Sequence, residues 1–220
     1  MRNLNEREVI RKIEEEQLVV IIRGIHGEKL VRLVDAIRKG GVKLVECTYD
    51  ATGAYPAEET AKDIATLVEH FGDEMLFGAG TVLSERQVEL TREAGGRFII
   101  SPDTNADVIR KTKAEGLVSI PGALTPSEIT AAHRAGADFV KLFPVSSLGA
   151  DYVKAVKAPL SHVRILAVGG IRLDNMEIYR KAGACGFGIG SNFASREALE
   201  AGDWDAVTAG AKAYVDALKA

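Results

Sequence analysis

Cysteine is scarce in this 220-residue chain: only Cys47 and Cys185 occur, each in an apolar run and far from the other. That spacing argues against a disulfide framework or a cysteine-rich zinc site, and it suits two buried free thiols in a reducing compartment. Long hydrophobic runs are missing as well. No stretch approaches the ~20 apolar residues of a membrane span. The N-terminus, MRNLNEREVIRKIEEEQ, is charged where a secretory leader would be apolar. A cytoplasmic protein that does not bind membranes is expected. Nor is there an excess of basic charge: 28 Lys and Arg are interspersed with 31 Asp and Glu, for a net charge of −3. Without a basic stripe, a nucleic-acid partner is not expected. Histidine is limited to His26, His70, His133 and His162, with no HxxxH or HxH spacing. All four read as surface residues, and neither a metal nor a cofactor is expected.

What the chain does have is a repeating alternation. Short apolar runs stand at 18–22 (LVVII), 43–47, 75–79, 97–100, 116–120, 139–143, 164–168 and 186–190. They are too short for helices and rich in Val, Ile and Phe, as strands buried on both faces require. Between them lie amphipathic stretches. EKLVRLVDAIRK (28–39) puts Leu30, Val34 and Ile37 on one face, and 58–71 does the same with Ala61, Ile64, Val68 and Phe71. Strand starts recur roughly every 20 to 33 residues, and eight are counted. An open doubly wound sheet would share the alternation, but eight units favour closure, and no LxxLxL pattern supports a solenoid. Residues 5–17 read as an extra N-terminal helix and 203–219 as the closing one. The expected fold is α/β: a (β/α)8 TIM barrel with an additional N-terminal helix, one domain over 1–220.

In a parallel barrel the chemistry sits at the C-terminal ends of the strands, so polar residues ending apolar runs become candidates. Lys141 lies inside FVKLFP, between Val140 and Leu142. Burial disfavours its charged form, and a neutral amine is what attack on a ketone requires. Glu46 ends the second run, in KLVECTYD. Strands two and six face each other across an eight-stranded barrel, so the two side chains can converge. Iminium chemistry needs such a pair, a nucleophilic amine and a proton shuttle; the alternative for the same two residues is a structural Glu–Lys ion pair with no chemistry. Glycine clusters follow the last two strands, in LAVGGIRLDN (166–175), with a helix start read at Asp174, and in GFGIGSNF (186–193). Loops of that kind let backbone N–H groups approach phosphate oxygens. Thr81, ahead of a helix capped by Ser84, adds a hydroxyl, and Arg23 adds a positive charge at the same mouth.

VECTYDAT, GAGTVL, FIISPDTN, SIPGALTPSE, FVKLFP, AVGGI and GIGSNF, in this order, resemble the 2-keto-3-deoxy-6-phosphogluconate / 4-hydroxy-2-oxoglutarate aldolases. The likeness spans nearly the whole chain. It implies a class I aldolase, a lyase of carbohydrate metabolism and commonly a homotrimer, whose small-molecule partners are a 2-keto acid, pyruvate and an aldehyde. Carried over residue by residue, it makes Lys141 the Schiff-base lysine and Glu46 the general acid/base. Thr81 would hold the pyruvate carboxylate, and Pro102 and Phe143 would shape the pocket. Gly169, Gly170 and Ser191 would receive a distal phosphate, and Arg23 matches the arginine that often ends strand one.

Three positions depart from the family pattern. Asp50 stands where many members carry an arginine four residues after the glutamate, and it would repel a substrate carboxylate unless it points away or pairs with Arg23. Val168 replaces the threonine that commonly precedes the paired glycines, which removes one phosphate donor. Ile21 or Ile22 replaces a proline of the first strand, a neutral change. The expected reaction is cleavage of a 2-keto-4-hydroxy acid to pyruvate and an aldehyde. The alternatives are the same mechanism on another sugar acid such as a phosphogalactonate, a non-catalytic phosphosugar-binding barrel, and a metal-free isomerase or decarboxylase.

Overall fold

Side-chain parity along the strands sorts the apolar residues into two sets, and that sorting defines the molecule. The computed structural model describes residues 4–219, apart from the side chain of Ser191. The strands are β1 (Leu18–Ile22), β2 (Leu44–Thr48), β3 (Leu76–Gly80), β4 (Phe98–Ile100), β5 (Val118–Ile120), β6 (Gly122–Ala123), β7 (Val140–Leu142), β8 (Ile165–Val168) and β9 (Gly186–Ile189). All pairings are parallel. Val19, Leu44, Leu76, Phe98, Ile100, Val118, Ile120, Phe139, Leu166 and Val168 form one cluster, the barrel interior. Their chain neighbours, such as Val20, Val45, Phe77, Ile99, Val140 and Ala167, belong to the other, the layer under the surrounding helices. A strand's period of two assigns one residue inward and the next outward, so both faces are apolar and the runs look continuous.

The helices behave as the 3.6-residue period requires. In α2 (Gly27–Lys39) Leu30, Leu33, Val34 and Ile37 are buried, and α3 (Ala57–Phe71) buries Ala61, Ile64 and Leu67. The N-terminal α1 (Glu6–Glu16) starts at a reciprocal capping box: Asn5 Oδ1 accepts from Glu8 N, and Glu8 Oε2 from Asn5 N. Its Val9 and Ile13 join the interior cluster, so α1 plugs the barrel end opposite the strands' C-termini. Ser84 caps α4 (Glu85–Glu93) with Gln87 as its reciprocal partner.

Two elements differ from the sequence reading. The fifth strand is broken at Pro121 into β5 and β6, because proline has no N–H to give the ladder. Pairing nevertheless continues across the break. β5 pairs with β4 and β6 with β7, while Phe139 N donates to Ser119 O at 3.2 Å and Lys141 N to Pro121 O at 2.9 Å. Counted as one strand, β5–β6 closes a ring of eight, in which β2 and β7 are opposite. The helix after β8 starts at Met176 behind Asn175, not at Asp174, because Asn175 Oδ1 takes the Arg172 amide and closes the turn first. The chain continues through α5 (Ala106–Ala114), α6 (Pro126–Ala135), α7 (Gly149–Lys157), α8 (Met176–Lys181) and α9 (Arg196–Ala201) to α10 (Trp204–Lys219), which packs beside α2.

Candidate active site

The interior cluster is apolar at the plugged end and polar toward the other, where inward positions are taken by Glu46 on β2 and Lys141 on β7. Inward parity continues from Leu44 to Glu46 and from Phe139 to Lys141, so both side chains enter the barrel from opposite walls. Glu46 is 1% exposed and Lys141 8%. They are not in direct contact: no ion pair within 4.0 Å joins them, and Glu46 Oε2 has no hydrogen-bond partner among the described residues. A buried carboxylate oxygen left unpaired is costly, of order 1–3 kcal/mol or more. Burial pushes the Glu46 carboxyl above the usual carboxylate range, against the opposing pull of Lys141 and then of Arg23. The Lys141 ammonium lies 5.0 Å from the centre of the Phe143 ring. Glu46 and Lys141 thus present an unsatisfied acid and an amine from opposite walls of the barrel, with the Phe143 ring beside the amine.

The GAGT segment explains how Glu46 is accommodated. Gly78 and Gly80 are the inward positions of β3, beside β2. A β-carbon at Gly78 would strike the Phe98 ring and carbonyl, and one at Gly80 would strike Glu46 Oε1. Gly80→Ala is therefore expected to displace the Glu46 carboxylate by ~1 Å, a shift that lowers kcat about 10²-fold where that carboxylate takes part in the reaction. Comparing kcat with Tm in this variant separates displacement from unfolding.

Thr81 follows at φ +56°, a left-handed conformation that a β-branched residue adopts only under strain. Strain of this kind costs roughly 1–3 kcal/mol and persists where surrounding structure imposes it. Here it places Oγ1 3.1 Å from Arg23 Nη2, which donates to it from the end of β1. Asp50 does not pair with Arg23. Its carboxylate accepts from Thr52 N and Oγ1 and from Tyr55 N at 2.8–2.9 Å, bonds that hold it below the usual range. The repulsion expected of an acid at this position is thus turned into its own loop.

Pro102 is exposed at the mouth, with its carbonyl packed against Gly122. Gly169 and Gly170 take φ of +94° and +74° after β8, bringing Gly169 against Phe143. Val168 is buried beneath them. The side chain of Ser191 lies outside the described residues; its backbone begins the turn Ser191–Phe193 after β9. Ser146, not singled out in the sequence, meets the same loop. Its amide donates to Gly169 O at 3.2 Å, and its Cβ and Oγ would lie 2.5 and 3.2 Å from a β-carbon on Gly170. A serine in a loop leaves no periodic signal; only the adjoining FVKLFP pointed toward it.

His70, His133 and His162 are exposed, whereas His26 is half-buried and bonded to Asp63. Cys47 is buried and Cys185 half-buried, both free. Among the described residues, no group of three or more His, Cys, Asp or Glu is placed to hold a metal ion.

The chain is similar to known proteins along most of its length. The family described as KDPG and KHG aldolase matches residues 9–210. The chain is 35% identical over 176 residues to the 2-dehydro-3-deoxy-6-phosphogalactonate aldolase of Escherichia coli K12, covering 80% of this chain and 83% of that one. It is 31% identical over 205 residues to the 2-dehydro-3-deoxy-phosphogluconate aldolase of Treponema pallidum, covering 91% and 93%. Its structure superposes on the KDPG aldolase of Legionella pneumophila, solved with pyruvate captured as a covalent carbinolamine, with a TM-score of 0.80, 28% identity and coverage of 90% and 93%. The chain belongs to the KDPG and KHG aldolase family.

Proposed function

We propose that Lys141 is the amine that captures the keto carbon and that Glu46 moves the protons. The observation that carries this reading is the unpartnered Glu46 Oε2, buried in the barrel opposite a lysine it does not touch. A structural ion pair would have closed that gap. Lys141 Nζ attacks C2 of a 2-keto-4-hydroxy acid, and loss of water leaves an iminium. Glu46 takes the proton of the 4-hydroxyl, the C3–C4 bond breaks, and its electrons pass into the iminium to give an enamine while the aldehyde departs. Protonation at C3 and hydrolysis release pyruvate and the free amine. Arg23 and Thr81 bind the C1 carboxylate, Pro102 and Phe143 bound the pocket, and the chemistry needs no cofactor.

The substrate is read as a 2-keto-3-deoxy-6-phospho sugar acid, with the phosphate received by the Gly169–Gly170 turn and the Ser191 loop. The gluco form is the first reading. The higher identity to the phosphogalactonate enzyme favours the galacto epimer as a second, and the two differ at C4, where Glu46 acts. The Ser146 hydroxyl supplies the donor that Val168 cannot. Ser146→Ala is expected to raise KM about 5- to 10-fold for a phosphorylated substrate, the worth of one charge-assisted hydrogen bond, and to leave 4-hydroxy-2-oxoglutarate unaffected. A retro-aldol screen over both phosphorylated epimers and unphosphorylated keto acids, read by pyruvate release, tests the assignment. Turnover indifferent to phosphate would remove the phosphate site from it.

We read the chain as one catalytic domain of carbohydrate metabolism. Its two free thiols support a reducing, cytoplasmic setting. Leu148, Leu173 and Ile178, exposed in the segments after β7 and β8, are apolar surface available for self-association, and the homotrimer itself is carried over from the family resemblance. A sedimentation mass of three times 23.6 kDa is the expected result.

A further inference from the structure

Asp63 is a buried acid on α3 that the reaction does not use, and it gathers contacts from two loops of the barrel mouth. His26 Nδ1 lies 2.7 Å from its Oδ2. Tyr55 OH donates to the same oxygen at 3.1 Å, and Gly27 N donates to Oδ1 at 3.1 Å. The His26 and Tyr55 rings stack with centroids 3.6 Å apart and planes 21° from parallel. His26 ends the β1–α2 loop, Gly27 begins α2, and Tyr55 belongs to the β2–α3 loop.

The β1–α2 loop is only four residues long, 23–26, and its first residue is Arg23. His26 precedes α2 but makes no side-chain cap, so Asp63 serves that helix end from another element, accepting the first helical N–H. A carboxylate there is also favoured by the helix dipole. Ile25 packs on the core, and Gly24 and Gly27 take φ of +66° and +58°. The loop therefore has little freedom once its end is held. On the neighbouring loop, Tyr55 N donates to Asp50 while Tyr55 OH donates to Asp63, so the same tyrosine ties the Asp50 turn to Asp63. Burial and the Asp63 charge push the Tyr55 hydroxyl up to about 12, which keeps it a donor.

We infer that Asp63, with His26 and Tyr55, is a positioning unit that fixes Arg23 toward Thr81 and keeps Asp50 away from the substrate carboxylate. This rests on the reading of Arg23 as a carboxylate-binding residue. None of the three side chains touches the reacting atoms. Their removal should therefore act on binding of the 2-keto acid, not on the bond-breaking step.

The experiment is a double-mutant cycle on the full chain, scored by KM and kcat for the retro-aldol substrate and by Tm. Tyr55→Phe deletes one hydroxyl and keeps the ring stack; Asp63→Asn keeps an acceptor for Gly27 N. Each is expected to raise KM about 5- to 10-fold with kcat within about twofold, and to add nothing once Arg23 is replaced by alanine. A lower Tm with unchanged KM in both variants would overturn the positioning role, provided Arg23→Ala itself raises KM. If Arg23→Ala leaves KM unchanged, the carboxylate reading of Arg23 fails first and the positioning role with it.

Discussion

Lys141→Met is expected to abolish turnover while making the protein more heat-stable. The methionine fills nearly the same volume but cannot form an iminium, so the electrons of the C3–C4 bond have nowhere to go. Deleting the nucleophile of a covalent mechanism costs on the order of 10⁴-fold or more in kcat. Stability should move the other way. Lys141 is buried and forms no ion pair or hydrogen bond among the described residues, so an apolar side chain of similar volume removes a buried, unsatisfied polar group, a gain of about 1–3 kcal/mol. For a chain of this size, each kcal/mol is worth roughly 2–4 °C in Tm. Lost activity with a raised Tm identifies a residue kept for chemistry. A fall in both would identify a structural lysine.

Glu46→Gln should be the second large effect, and its stability gain should depend on pH. In the folded state the Glu46 carboxyl is held above its ordinary value, since burial outweighs the favourable charges of Lys141 and Arg23. A folded chain that retains this proton more strongly than the unfolded chain loses stability as pH rises from the ordinary carboxylate range. The loss continues until the raised folded-state value is passed, above which it is fully present. Glutamine does not titrate. The variant should therefore match the parent near pH 4, gain on it through that window, and hold its advantage at neutral pH. Every tenfold gain in the carboxyl's proton affinity on folding corresponds to about 1.4 kcal/mol of that advantage. Turnover should drop about 10²- to 10⁴-fold, the usual range for removing a general acid/base. Thermal melts from pH 4 to 8, beside kcat at pH 7, give both readings; a stability difference constant with pH would contradict the buried-acid account.

The parts of this molecule that were legible beforehand are those that repetition or contrast makes visible. Eight apolar runs revealed the strands because both faces of each are covered, and β1 matched its expected span at 18–22. Lys141 and Glu46 stood out because each interrupts or ends such a run. Other features depend on partners distant in sequence. Asp63 reads as one more charge in the amphipathic α3, and nothing local says that residues 36 and 37 positions earlier bind it. Asp50 read as a threat to the substrate carboxylate, because composition cannot show an acid folding back on its own turn. Gly80 carries no local sign of its role, because the space it leaves is filled by the Glu46 carboxylate of the neighbouring strand. The break at Pro121 was hidden because a proline beside a short apolar run also fits an ordinary strand end.

Reduction by borohydride in the presence of pyruvate, followed by peptide mapping, bears most directly on the covalent role of Lys141. A pyruvate-derived mass fixed on Lys141, with activity lost in proportion, is the expected result. An active enzyme that takes up no label, or carries it on a different lysine, would contradict it.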